Sequence, residues 1–188
     1  MKDLVIVGPV ASPEAWQQRA GAIAIAKPAP GVLRLVGASG DPSLIDQAHV
    51  EGLDAFFADP PLRRQEFKLL AMDMDSTLIT IECIDEIADM AGLKPRVAEI
   101  TASAMRGELD FPASLRARVA LLQGLPIEAL QEVHDERLRL SPGAETLLAA
   151  ARAAGWTTLL VSGGFTYFTD RLKSRLGLDH TLSNTLEV

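Results

Sequence analysis

The chain has 188 residues, 48% of them hydrophobic, with a formal net charge of -7 and a pI near 5.0. That length holds one large domain, or a medium domain plus a small one. The acidic balance, with no basic cluster, argues against a broad nucleic-acid surface, and no apolar run reaches the length of a membrane span.

The opening residues Met1–Gly8 are too short for a secretory signal. A single cysteine, Cys83, allows no internal disulfide and suits a reducing cytoplasm. The expected setting is therefore cytoplasmic, with no nucleic acid and no membrane as partner.

In chain order, Leu4–Val7 and Val32–Val36 read as short strands. Between them Pro13–Ala26 reads as a helix, with Ser12 as N-cap and Pro13 at the first helical position. A second helix is predicted from about Ser43 to Ala58. Asp59-Pro60-Pro61 and the polar run Leu62–Glu66 then mark a domain boundary. Residues 1–65 thus read as a small α/β accessory domain and 66–188 as a second domain. The first looks too short and strand-poor for an amino-acid-sensing ACT domain, which favours a spacer or dimerisation role.

The second domain opens with Phe67–Asp73, a short apolar run that suits a strand buried on both faces. It ends in two carboxylates one residue apart, Asp73 and Asp75. Open α/β sheets bind ligands at the carboxyl ends of their strands. If the chain leaves its pleat between these residues, both carboxylates face one site. One can then attack a phosphorus atom while the other handles a proton.

A mostly helical stretch follows from about Ile84 to Leu138. Ser141-Pro142 starts an alanine-rich helix that stops at Gly155, with Ser as N-cap and Gly as C-cap. Trp156–Val161 reads as a second buried strand leading into Ser162-Gly163-Gly164. Tyr167–Leu176 reads as a helix stopped by Gly177, and Thr181–Val188 as a last strand-like piece. This order predicts an α/β, doubly wound (Rossmann-like) parallel sheet with a helical cap inserted at about 83–138.

Asp73-Met74-Asp75-Ser76-Thr77-Leu78 resembles the first motif of the haloacid-dehalogenase-like phosphohydrolases. With Glu82, Ile84–Ala88, Ser114–Val119 and Val161-Ser162-Gly163-Gly164-Phe165, the chain from Phe67 onward resembles the phosphoserine phosphatases within that superfamily. The resemblance implies Mg²⁺-dependent hydrolysis of O-phosphoserine, the last step of serine biosynthesis, through an aspartyl phosphate. It implies Asp73 as nucleophile and Asp75 as general acid and then base. Mg²⁺ would be held by the Asp73 carboxylate and the main-chain carbonyl of Asp75. Ser162 and Gly163 would bind phosphate, Glu82 the substrate ammonium and Arg118 its carboxylate, with Met105 and Phe111 closing over it. Arg116 stands as near as Arg118 in the sequence and leaves that choice open.

Other residues fit plainer roles. Cys83 lacks the arginine six positions on that a cysteine phosphatase needs, since Asp89 stands there. His49, His134 and His180 form no ligand spacing. Gly37-Ala38-Ser39-Gly40 lacks the third glycine of a dinucleotide turn.

The family's third-motif lysine and fourth, acidic motif have no counterpart here. After Ser162 the only lysine is Lys173, and the later carboxylates Asp170, Asp179 and Glu187 lack a glycine-rich setting. The chain therefore reads as shortened at its C-terminus, with an incomplete metal site and little or no activity expected. Two alternatives remain: a phosphotransferase of the same superfamily, or an inactive remnant serving as a binding module. Homo-oligomer formation is left open.

Overall fold

The computed structural model describes residues 2–59 and 66–187 and divides into two units, Met1–Glu66 and Phe67–Val188. The proline-rich residues 60–65 of the expected boundary lie outside the described residues, as does Val188.

In the first unit the elements run β1 (Lys2–Val7), α1 (Pro13–Ala20), β2 (Ala24–Ala29), β3 (Val32–Ala38), α2 (Ser43–Val50) and β4 (Asp54–Ala58). The sheet is antiparallel, in the order β2-β3-β1-β4. This β-α-β-β-α-β order is the ferredoxin-like, split βαβ arrangement. Leu4 and Ile6 of β1 and Leu33 and Leu35 of β3 share one face, as period-2 alternation requires. They pack there with Trp16, Ala20, Leu44 and Ala48 of the helices.

The strand-poor reading of this unit is corrected, and two glycines explain why. Gly21 (φ 59°) takes the left-handed conformation that ends α1 and donates its N–H back into the helix. Residues after it cross to β3, so Ala24–Ala29 is a strand and not the end of a helix. Gly52 (φ 72°) turns the chain after α2 in the same way. Asp54–Ala58 then pairs with β1 instead of extending the helix.

The second unit begins with β5 (Leu69–Met72), followed by a wound turn over Met74–Leu78. The cap helices are α3 (Cys83–Met90), α4 (Lys94–Met105), α5 (Phe111–Leu121) and α6 (Glu128–Glu132), with a π-type turn over Val133–Arg137. The core resumes with α7 (Ala144–Ala153), β6 (Thr157–Phe165), α8 (Thr166–Leu176) and β7 (His180–Asn184). The sheet is parallel, in the order β5-β6-β7. Helices of core and cap cover it: Phe168, Leu172, Leu148, Ile87 and Val133 share one apolar cluster with Leu160 and Met74.

Two expectations are revised. The strand leading to Asp73 is not buried on both faces: Leu69 is 52% exposed and Ala71, on the same face by alternation, is exposed too, while β5 pairs only with β6 among the described strands. The helix expected to start at Ser141-Pro142 starts at Ala144. Gly143 (φ 86°) precedes it, and no side chain caps it.

The Glu86 carboxylate accepts from both Lys94 and Arg137, and Arg137 also reaches Asp89 at 2.6 Å. This network fastens the first cap helix to the last turn of the insertion.

Candidate active site

The site grows out of the end of β5. Asp73 leaves the strand in extended conformation (φ -81°, ψ 164°), and its Oδ1 accepts from the Met74 N–H at 2.6 Å. Asp75 stays extended (φ -65°, ψ 136°), whereas Ser76 turns left-handed (φ 51°, ψ 14°). The strand ends at Met72, and the left-handed turn at Ser76 follows both aspartates. The turn closes through the Ile79 N–H on the Met74 carbonyl and the Ser76 N–H on the Ile81 carbonyl.

A cavity of ≈ 210 Å³ lies against this turn, lined by Asp73, Asp75, Glu82, Arg118, Phe111, Gly163 and Gly164, with Ile84, Leu115 and Phe165. A larger cavity of ≈ 600 Å³ between α5, α6 and the segment after β7 is walled mainly by aliphatic side chains such as Leu122, Leu125 and Leu130. It lacks the convergent carboxylates that chemistry on a polar ester needs.

The electrostatics of the smaller cavity are lopsided. Three carboxylates face one guanidinium. Burial, the largest cause, pushes the Asp75 carboxyl above the ordinary range, and the charges of Glu82 and Asp73 add to it. The Cys83 N–H opposes this by donating to Asp75 Oδ1 at 3.0 Å. Burial, and after it the neighbouring carboxylates, push the Cys83 thiol above its usual value, and the buried side chain does not line the cavity, a setting that disfavours a reactive thiolate.

Ser162, Gly163 and Gly164 lie inside β6, where its pairing with β7 slips between Val161 and Phe165. The buried Ser162 hydroxyl accepts from the Gly164 N–H at 2.9 Å, and Ser162 itself does not line the cavity. A side chain at Gly164 would meet Asp75 Oδ2 at 3.0 Å and Met74 Cε at 2.9 Å, so the close approach requires glycine. At Gly163 it would meet the Phe111 ring at 3.0 Å. The cap thus rests directly on this turn.

Among the sequence-derived candidates, the fold brings Asp73, Asp75, Glu82, Phe111, Arg118 and Gly163 to one cavity. It places Met105 elsewhere, 85% exposed at the end of α4. Arg116 lines a different cavity, so the fold distinguishes it from Arg118. Sequence reasoning placed Gly164 in the turn but missed Asn184. The Asn184 amide donates to the Gly163 carbonyl at 2.8 Å and pins the turn from the end of β7. A polar residue closing a strand was its only sequence signal.

Among the described residues no cluster of three His, Cys, Asp or Glu side chains stands ready for a metal ion. The donors on offer are hard oxygens, the Asp73 carboxylate and the Asp75 main chain. Mg²⁺ accepts such a partial set, because it keeps several waters and binds through one or two carboxylates plus substrate phosphate.

Residues 70–188 match the haloacid dehalogenase-like hydrolase family, and the chain belongs to it. Over 137 residues it is 58% identical to a phosphoserine phosphatase of Polaromonas, covering 72% of this chain and 58% of that protein. The chain thus spans less than two thirds of the length of that curated relative. A HAD-family hydrolase from Salmonella enterica serovar Typhi superposes with a TM-score of 0.84 at 32% identity, over 100% of this chain and 69% of that one. A phospho-aspartyl intermediate analogue of phosphoserine phosphatase superposes with a TM-score of 0.60 at 43% identity, over 65% and 58% respectively.

Proposed function

We propose that the second unit hydrolyses O-phosphoserine to serine and phosphate, the closing step of serine biosynthesis, in the cytoplasm. The observation that carries this reading is the meeting of Asp73, Asp75, Glu82, Arg118 and the Gly163-Gly164 turn around one small cavity.

Asp73, first out of the strand, attacks the phosphorus as the nucleophile, and the serine oxygen leaves. The solved phospho-aspartyl analogue of a relative supports that intermediate. Asp75, its carboxyl raised by burial, gives the leaving oxygen its proton. It then takes one from the water that cleaves the aspartyl phosphate, as an acid working in both directions does.

Glu82 receives the substrate ammonium. Arg118, on the facing cap helix, receives the carboxylate, for which a guanidinium fork is well shaped. Phe111 over Gly163 shields the reacting group from water. The Asp73 carboxylate and the Asp75 main-chain carbonyl would hold Mg²⁺, which would offset repulsion between the anionic nucleophile and the anionic ester.

The test is steady-state phosphate release from excess O-phosphoserine with Mg²⁺. With Arg118 the one cation lining the cavity among the described residues, steady turnover is expected below about 1 s⁻¹. Asp73→Asn keeps the shape and removes the nucleophile, and the expected loss is at least about 10³-fold. Serine and phosphate should appear in equal amounts. Release by Asp73→Asn at the wild-type rate overturns the reading, and transfer of phosphate to an added alcohol in place of water makes the chain a phosphotransferase.

A further inference from the structure

Ser76 is the only residue other than glycine with positive φ among the described residues. An L-residue pays a steric penalty there that glycine does not, and such outliers gather at functional sites. The turn alone does not explain a serine. Its closing bond, Ser76 N–H to the Ile81 carbonyl at 3.1 Å, uses only backbone, and glycine would make it without strain. What glycine cannot supply is the hydroxyl, which donates to Glu82 Oε1 at 2.7 Å.

Glu82 is also unusually placed. It stands at the N-cap position of α3, yet its side chain caps no backbone N–H of that helix. The first N–H of α3, that of Cys83, is instead taken by Asp75 Oδ1. The Glu82 carboxylate is thereby released from its own helix and aimed at the cavity. It is exposed, and a long exposed side chain loses rotamer freedom on binding a ligand.

We propose that Ser76 is a positioning residue for substrate selection: its left-handed backbone aims the hydroxyl at one oxygen of Glu82, fixing that carboxylate so that the other oxygen meets an ammonium group. The inference rests on the reading of Glu82 as ammonium acceptor. It predicts that Ser76 governs the preference for an ammonium over a hydroxyl at the same substrate carbon, without governing affinity for the phosphate.

Calorimetric titration tests this with O-phosphoserine and 3-phosphoglycerate, which differ in that one group. The titrations use the 188-residue chain with Mg²⁺, in the Asp73→Asn background so that phosphate transfer is blocked. Ser76→Ala and Ser76→Gly should each weaken O-phosphoserine about tenfold, the scale of a lost hydrogen bond to a charged group. Binding of 3-phosphoglycerate should stay within about twofold by the same reasoning. Ser76→Gly separates hydroxyl from backbone, since glycine holds the turn unstrained.

In the Glu82→Gln background, Ser76→Ala should add little, because the two act as one unit. Equal weakening of both ligands, a Ser76→Gly variant with wild-type preference, or full additivity with Glu82→Gln overturns the role of Ser76 while leaving that of Glu82 intact. Loss of neither affinity nor preference in Glu82→Gln overturns both.

Discussion

Asp3 in the first unit and Asp75 in the second are both withdrawn from water, yet their surroundings push them in opposite directions. The Asp3 carboxylate accepts from the Gly37 N–H at 2.9 Å and from Arg34 Nε at 2.7 Å. The Gly37 bond first, and Arg34 after it, hold its carboxyl below the usual range against the effect of burial. Asp75 has one N–H donor, from Cys83, and two neighbouring carboxylates, and burial dominates. The two arginines diverge likewise. Arg34 is spent on Asp3. Arg118 forms no ion pair among the described residues and bonds only weakly to the Ser114 carbonyl at 3.4 Å. A satisfied charge stabilises its fold, whereas an unsatisfied pair of charges is held ready for a ligand that completes it.

The largest expected effect sharpens that contrast at the arginines. Arg118→Ala should weaken use of O-phosphoserine by about 2–5 kcal/mol, the usual loss for one partner of a buried charged contact. An aryl phosphate without a carboxylate should be much less affected, and folding stability should barely change. Comparing kcat/KM for the two substrates decides it. Equal losses would remove carboxylate recognition from Arg118.

Next, Asp3→Asn should cost the first unit about 1.5–3 kcal/mol, the range for hydrogen bonds to a charged group, read as a lower denaturation midpoint with binding intact. The pH dependence has a definite sign. A carboxyl lowered in the fold stabilises fully above its unfolded value of about 3.9, and that stability is lost as pH falls through the folded value. Asp3→Asn should therefore flatten the acid limb. An unchanged limb would show that Asp3 is no stabilising charge.

The smallest effect runs the other way. Asp75 is raised, so its ionised form costs stability at neutral pH, and that cost grows as pH rises from the unfolded value through the folded one. Asp75→Asn, without Mg²⁺, should raise the melting temperature by about 2–4 °C, the shift that about 1 kcal/mol gives in a chain of this size. Phosphate release should be lost. A lower melting temperature would place Asp75 with Asp3 among the structural carboxylates.

Much of this was legible in the residues. The step from apolar Leu69–Met72 to Asp73 and Asp75 marks a strand ending in a functional turn, because so short a stretch places both carboxylates by local geometry alone. Gly177 ends α8 in left-handed conformation (φ 64°) where a glycine after a helical pattern is expected to. The errors fell on short alanine-rich pieces. Ala24–Ala29 and Asp54–Ala58 carry no strong period; the first is a strand because it folds back on its hairpin neighbour β3, and the second because it pairs with β1 at the far end of the unit.

By itself, the sequence determined the chemistry available: which carboxylates, which arginines, which glycines, and the local turn that splays Asp73 from Asp75. Only the tertiary structure decided which of them meet. Arg116 and Arg118 stand two residues apart on α5 and so point to different sides of the helix, but only the packing of α5 decides that the Arg118 side lines the cavity and the Arg116 side does not. Burial raises one aspartate and hydrogen bonds lower another for the same reason. Proximity and desolvation are properties of packed elements, and no local pattern encodes them.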